Sequence, residues 1–347
     1  MPSSTDALLG ALPLPALAIN SNERIEAANP AALALLGEGI LERHFITALR
    51  QPALVEAVEA CLQDDVPRKE TYLSGEANTD VTYDVHVAPT GTGLVLLTLQ
   101  DTTQMHQAGQ MRRDFVANVS HELRTPLTSL MGFIETLRGP AKDDPAAQQR
   151  FLTTMSAEAD RMNRLVADLL SLSRVESQGR IRPTTAIELA PVLTATLRNL
   201  NPLAVEADVI IEADIPKEPL HVLGDADQLL QVFTNLVENA IRYGATGQRV
   251  RVAARAALRE AALRAPAVRI EVQDFGPGID PQHLPRLTER FYRADSHRSR
   301  ALGGTGLGLA IVKHILNRHR GRLKIASEPG QGATFTAILP LADADPS

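Results

Sequence analysis

The sequence has few of the residues on which several classes of protein depend. Its 347 residues include no tryptophan and only 3% aromatics, so base-stacking platforms and aromatic cages have little to be built from. The single cysteine, Cys61, excludes an intrachain disulfide and indicates a reducing, intracellular setting. The formal net charge of -6 argues against a general nucleic-acid-binding protein, which would normally carry a basic face.

Long apolar runs are also missing. A membrane-spanning helix needs about 20 mostly apolar residues. The most apolar candidate, residues 8–19, is shorter than this and is interrupted by Pro13 and Pro15. The N-terminus lacks the basic flank and the long apolar segment of a signal peptide. We therefore expect no integral membrane span and a cytoplasmic location, either free or associated with a membrane complex.

The rest of the composition is that of a folded chain, with 44% hydrophobic and 22% charged residues. The length predicts two or three domains, because one domain commonly takes about 100–200 residues. In the first domain, which we place at residues 1–104, the patterns predict strands at 11–19, 24–28, 79–88 and 94–100. A helix is predicted to begin at Asn29 and Pro30. This order of elements resembles a PAS sensor domain, which implies an α+β fold.

Residues 105–178 carry the pattern of a helical hairpin. Apolar residues recur every three or four positions in the first helix, and a Gly-Pro pair followed by Asp-Asp-Pro ends it. The second helix has a coiled-coil-like seam, formed by Phe151, Met155, Glu158, Met162, Leu165, Leu169 and Leu172. Glu158 either lies where the seam meets water or fixes the register. Pairing two hairpins into an all-α four-helix bundle would bury the remaining apolar surface, so we predict a homodimer.

His121 lies on the first helix, within the run Phe-Val-Ala-Asn-Val-Ser-His-Glu-Leu-Arg-Thr-Pro-Leu. Taken alone, it is most simply a surface residue of an amphipathic helix. The whole run, however, resembles the H box of sensor histidine kinases. An uncharged imidazole has a nitrogen lone pair that can attack phosphorus, and Glu122 is the candidate general base. The resemblance also implies that Thr125 helps to place a water for dephosphorylation of the partner.

Residues 184–343 alternate helix and strand patterns, which predicts an α+β sandwich. Asn235, Asn239 and Arg242 recur at spacings of four and three on one helix face. An ordinary polar face explains any one of these residues, but explains all three poorly. The segment Asn235-Leu-Val-Glu-Asn-Ala-Ile-Arg-Tyr243 resembles the N box of the same kinases, although Arg242 stands where the family usually has lysine. An asparagine oxygen suits Mg²⁺, and we assign Asn239 to the metal.

Two glycine-rich loops complete the pattern. Asp274-Phe-Gly-Pro-Gly-Ile resembles the first glycine-rich box, which implies that Asp274 accepts a hydrogen bond from the adenine amino group. Gly276 and Gly278 would let the backbone approach the base. The second loop leads into an apolar helix, whose N-terminus suits phosphate. Its predicted contacts are Gly304, Thr305, Gly306, Leu307 and Gly308.

Between the two loops, Phe291-Tyr-Arg resembles the F box, with Arg293 as a candidate γ-phosphate contact. Residues 294–302 would form a lid over the nucleotide. The second glycine-rich loop is not a Walker loop, because the Lys-Ser/Thr ending is missing. Nor does it have the strand and acidic partner of a Rossmann fingerprint.

These boxes together resemble the ATP-binding fold shared by histidine kinases, gyrase-type ATPases and heat-shock chaperones, and the H box separates the kinases from the rest. The resemblance implies that the protein phosphorylates His121 from Mg-ATP and passes the group to an aspartate of a response regulator receiver domain. Phosphatase activity on that regulator is also expected.

Residues 111–118 and 132–139 are similar to those of phosphate-regulon sensors, so signalling of phosphate starvation is the expected role. A membrane span is usual in that subfamily. We therefore expect either a cytosolic variant or a chain from which a span has been removed. Two other functions fit the sequence: an ATPase clamp of the same fold, and a non-catalytic dimeric signalling scaffold.

Overall fold

The computed structural model describes residues 4–76, 79–177, 182–294 and 304–342. The chain divides into two compact units, one ending at Ala117 and the other beginning at Asn118. Within the described ranges, no helix combines the length and the apolar character that crossing a membrane requires.

The first unit is built on an antiparallel sheet of five strands in the order β2-β1-β5-β4-β3. The strands are β1 (Ala16–Asn20), β2 (Ile25–Ala28), β3 (Arg68–Glu76), β4 (Thr79–Pro89) and β5 (Leu94–Asp101). The helices are α1 (Ser4–Gly10), α2 (Pro30–Leu36) and α3 (Pro52–Asp64). Apolar side chains of the strands and of α3 share one core, which includes Leu17, Leu97 and Val58. The unit is rich in β-structure, as expected, and its assignment as a PAS domain stays a prediction.

Four strands and the start of α2 lie where the sequence patterns place them, but β3 is an additional strand. Its sequence, Arg-Lys-Glu-Thr-Tyr-Leu-Ser-Gly-Glu, is mostly polar. Among the described residues, the strand lies at the edge of the sheet and pairs with β4 alone. An edge strand needs little apolar alternation, because much of its surface faces water. This is why the pattern did not reveal it.

The second unit contains the hairpin, formed by α4 (Thr103–Arg138), which begins in the first unit, and α5 (Pro145–Ser177). Helix α4 continues through Pro126. The seam of α5 is half-buried or buried along its length, with Leu165 and Leu172 fully covered. Glu158 lies 3.7 Å from the guanidinium of Arg161, so the polar interruption of the seam belongs to an ion-pair cluster.

The rest of the second unit contains a mixed five-stranded sheet in the order β11-β12-β10-β9-β7, in which the β7–β9 pair is parallel and the other three pairs are antiparallel. The strands are β7 (Ile210–Asp214), β9 (Arg249–Glu260), β10 (Ala265–Asp274), β11 (Arg322–Ser327) and β12 (Ala333–Pro340). The short strands β6 (Ala186–Glu188) and β8 (His221–Leu223) pair separately. The helices are α6 (Leu189–Glu206), α7 (Ala226–Gly244) and α8 (Gly308–Arg318). This architecture agrees with the predicted α+β sandwich.

Candidate active site

A cleft of about 540 Å³ lies between α7, the two glycine-rich loops and one face of α5. Most of the residues predicted to contact nucleotide line it. They are Asn235, Asn239, Arg242, Tyr243, Asp274, Gly278, Arg293, Gly304, Thr305, Gly306 and Gly308. Tertiary folding therefore brings four separate sequence boxes to one cavity.

Helix α7 presents its polar face to the cleft because its apolar face is buried in the sandwich. Asp225 begins the helix by accepting the backbone N–H of Gln228 at 3.2 Å. Arg242 donates from Nε to the Glu238 carboxylate at 2.8 Å. The Nδ2 group of Asn235 is buried, and within the described ranges it has no hydrogen-bond partner. The face therefore offers one donor that the protein itself leaves unsatisfied.

Asp274 ends strand β10 and is only 5% exposed. Its Oδ1 atom accepts the backbone N–H groups of Gly276 at 3.0 Å and Ala333 at 3.3 Å. Burial raises the pKa of this carboxyl, and the two backbone hydrogen bonds oppose the rise. With Oδ1 occupied by the backbone, Oδ2 is the oxygen left to accept a donor from a ligand.

Gly276 and Leu307 do not line the cleft, although the sequence places both among the nucleotide contacts. A Cβ atom at Gly276 would come within 2.8 Å of the Gly244 backbone, so this glycine allows the first loop to pack on α7. Leu307 is fully buried in the core at the start of α8. Both residues therefore help to fix the shape of the loops by packing away from the cleft.

The second glycine-rich loop directs the start of α8 towards the cleft. Gly306 has φ +74°, and a Cβ atom there would lie 2.9 Å from the Phe291 backbone, so only glycine fits without strain. Leu307, the N-cap residue of α8, makes no side-chain capping hydrogen bond within the described part of the chain, and the first helical residue, Gly308, lines the cleft. A helix N-terminus that faces a cleft suits an anion. The predicted lid lies outside the described residues except for Ala294.

The predicted catalytic residues are on α4 and do not line the cleft. His121 is exposed, and its carbonyl accepts a hydrogen bond from the Thr125 hydroxyl at 3.1 Å. The Glu122 carboxylate accepts hydrogen bonds from Arg161 at 2.9 Å and from Arg293 at 2.8 Å. Arg293 also donates to the Thr305 carbonyl at 3.2 Å and lines the cleft. One arginine thus connects the cavity to the residue beside His121.

Helix α5 contributes three residues to the cleft that motif reasoning missed: Arg164, Ala167 and Asp168. The Thr305 hydroxyl donates to the Asp168 carboxylate at 2.6 Å. Burial raises the pKa of Asp168, and the Thr305 hydrogen bond opposes this rise. The only signal in the sequence is a row of polar residues spaced three or four apart on α5, which by itself indicates a solvated face.

Two protein families match this chain. Residues 111–178 match the His Kinase A (phospho-acceptor) domain, and residues 224–343 match the histidine kinase-, DNA gyrase B-, and HSP90-like ATPases. The chain belongs to the sensor histidine kinases.

Curated relatives of this sensor histidine kinase include the phosphate regulon sensor protein PhoR of Pseudomonas aeruginosa, which is 39% identical over 83% of the chain. The sensor-like histidine kinase SenX3 of Mycobacterium tuberculosis is 41% identical over 66% of the chain. The sensor protein kinase WalK of Staphylococcus saprophyticus is 32% identical over 93%. The chain spans 62%, 54% and 53% of the lengths of these relatives.

Among solved structures, the histidine kinase ThkA, crystallised in complex with the response regulator protein TrrA, has a TM-score of 0.53. The match covers 97% of this chain and 98% of that chain at 20% identity. At this identity the likeness concerns the fold alone.

Proposed function

We propose that this histidine kinase phosphorylates its own His121 from ATP and passes the phosphoryl group to an aspartate of a response regulator. The observation that carries the proposal is the ion pair between Arg293 and Glu122. It joins a residue of the candidate nucleotide cleft to the neighbour of the candidate phosphate acceptor. A clamp ATPase would have no need of a histidine at this junction.

The cleft fits a nucleotide with a polyphosphate tail. The Asp274 carboxylate can accept a hydrogen bond from the adenine amino group. Arg242, Arg293 and the start of α8 supply positive charge for phosphate. Two buried donors, Asn235 Nδ2 and Arg293 Nε, have no hydrogen-bond partner among the described residues. Leaving a buried donor unsatisfied costs about 1–3 kcal/mol, which phosphate oxygens would offset.

Asn239 is the residue of the cleft that we assign to Mg²⁺, because its amide oxygen is a suitable hard ligand. When bound, the ion would neutralise charge on the phosphate oxygens. Such a site needs few protein ligands, because Mg²⁺ keeps several waters and shares oxygens of the substrate.

In the transfer, one imidazole nitrogen of His121 attacks the γ-phosphorus of ATP. A P–N bond forms while the bond to the bridging oxygen breaks, and ADP leaves with that electron pair. The proton on the other ring nitrogen passes to Glu122. Because two arginines hold this carboxylate in the structure, acting as a base requires it to turn one oxygen towards the imidazole.

Homodimerisation through the hairpin is part of the proposal. Large apolar side chains on its two helices are 43–56% exposed: Leu127, Met131, Ile134, Leu152, Val166 and Leu170. Pairing two hairpins into a four-helix bundle would remove this surface from water. The first unit would then act as the PAS-like sensor of a dimeric kinase.

We further propose that the signal is phosphate starvation and that the kinase also dephosphorylates its regulator, with Thr125 placing the water. The name of the Pseudomonas relative supports the first point, since that protein is a phosphate regulon sensor. Phosphotransfer from the labelled kinase to each purified response regulator of the host would test it. The regulator of phosphate-starvation genes should be labelled fastest, and preference for any other regulator would overturn this assignment.

Incubation with γ-labelled ATP tests the kinase reaction. His121→Ala should abolish acid-labile, base-stable labelling, because no other residue is proposed to accept the phosphoryl group. His106→Ala is the matched control, since it removes another histidine of the same helix. Undiminished labelling of the His121 variant would refute the assignment.

A further inference from the structure

One face of helix α5 is turned towards the sandwich, and its polar residues recur every three or four positions. They are Arg161, Arg164, Asp168 and Ser171. Three of them have direct partners on other elements. Arg161 donates to Glu122, Asp168 accepts from Thr305, and Ser171 and Gln231 lie within 2.7–2.9 Å of each other.

Arg164 is the exception on this face. It lines the cleft with Asn235 and Asn239, yet its Nε group is buried and has no hydrogen-bond partner within the described part of the chain. The Asp168 carboxylate attracts the guanidinium electrostatically, but it accepts its hydrogen bond from Thr305. A buried cationic donor without a partner is costly, so this position favours an acceptor supplied from the cleft.

Two more donors of the same cleft, Asn235 Nδ2 and Arg293 Nε, are unsatisfied in the same way. Three such donors from three elements around one cavity indicate a ligand rich in anionic acceptor oxygens. A guanidinium suits phosphate in particular, because its planar fork matches two phosphate oxygens.

We propose that Arg164 binds the terminal phosphate of ATP from the hairpin side, so that the helix pair carrying the acceptor histidine completes the nucleotide site. This rests on the proposed function, because transfer to His121 requires the terminal phosphate to lie at the end of the cleft nearest the hairpin. Arg164 is at that end, since it is one turn from Arg161, which contacts Glu122. ADP lacks the group that Arg164 binds, so the contact distinguishes substrate from product.

Nucleotide titration by calorimetry on the whole 347-residue chain tests the proposal, with the non-hydrolysable analogue Mg-AMPPNP and with Mg-ADP as probes. Arg164→Ala should weaken binding of the analogue about tenfold or more, the usual effect of losing a charged hydrogen bond. Binding of ADP should change less than about twofold. Arg164→Lys should be intermediate, because it keeps the charge without the fork.

Arg150→Ala is the matched control, because Arg150 is an exposed arginine of the same helix away from the cleft. It should bind both nucleotides like the wild type. Arg164→Gln, which keeps most of the side-chain volume, serves if the alanine variant does not fold. Equal losses for the analogue and for ADP would indicate a merely structural role and overturn the proposal, as would unchanged affinity for the analogue.

The wild-type protein separates this inference from the proposed function. If it binds Mg-AMPPNP and labels His121 while the Arg164 variants bind the analogue normally, only the inference about Arg164 fails. If the wild type binds neither nucleotide, both fail together.

Discussion

Replacing Asp274 by asparagine changes one oxygen of a buried side chain and should separate nucleotide binding from folding. The Oδ1 atom accepts two backbone N–H groups, from Gly276 and Ala333. An asparagine would keep its own oxygen at this position, because turning the amide round would leave both N–H groups unsatisfied. Its NH₂ group would then replace the carboxylate oxygen that is available to the ligand.

The expected loss of nucleotide affinity follows from this exchange of an oxygen for an NH₂ group. The variant loses the charged carboxylate oxygen that would accept a hydrogen bond from adenine. In its place, the asparagine NH₂ group faces the adenine amino group, and both are hydrogen-bond donors. A hydrogen bond to a charged group contributes about 1.5–3 kcal/mol, so we expect a loss of about 2–3 kcal/mol, or roughly 30- to 150-fold in affinity. The free energy of unfolding should change by less than about 1 kcal/mol, because the backbone keeps its acceptor and the buried charge is removed.

Calorimetric titration with Mg-AMPPNP measures the loss of nucleotide affinity. Chemical denaturation measures the change in the free energy of unfolding. Asp227→Asn is the matched control, since Asp227 is an exposed aspartate in the first turn of α7, away from the cleft. The control should bind the analogue like the wild type. If Asp274→Asn binds it within about threefold of wild type, adenine is not bound at Asp274.

Two further predictions concern pH and assembly. The pKa of Asp168 is raised by burial from the ordinary value of 3.8. The folded state therefore binds the proton more tightly, and this contribution to stability is lost as pH rises through the folded pKa. Asp168→Asn should flatten the fall of the unfolding free energy that begins as pH rises above about 4, the ordinary pKa of an aspartate; an unchanged profile would contradict this. Leu170→Glu puts a charge on the exposed apolar surface of the hairpin, where Leu170 is 56% exposed, and should shift the protein to monomer in light scattering. Leu258→Glu, at a residue 91% exposed on β9, should leave the mass unchanged, and a dimeric Leu170 variant would exclude this surface from the interface.

The local periodicity of the sequence determined many of the helices and strands of this protein. Spacings of three and four residues predict the hairpin helices and the shared face of Asn235, Asn239 and Arg242. These predictions hold because an α-helix has 3.6 residues per turn whatever surrounds it. Strands with one buried face were equally visible in the sequence. The polar edge strand β3 was not, because its position in the sheet rather than its own composition makes it a strand.

Only the tertiary structure decided which polar faces meet. The sequence marks Glu122 as a neighbour of His121, but packing turns its carboxylate towards Arg161 and Arg293. The row of polar residues on α5 reads as a solvated surface until α5 lies against the cleft and places Arg164 and Asp168 in it. Contacts between residues more than a hundred positions apart depend on how whole elements pack, and no local pattern encodes that arrangement.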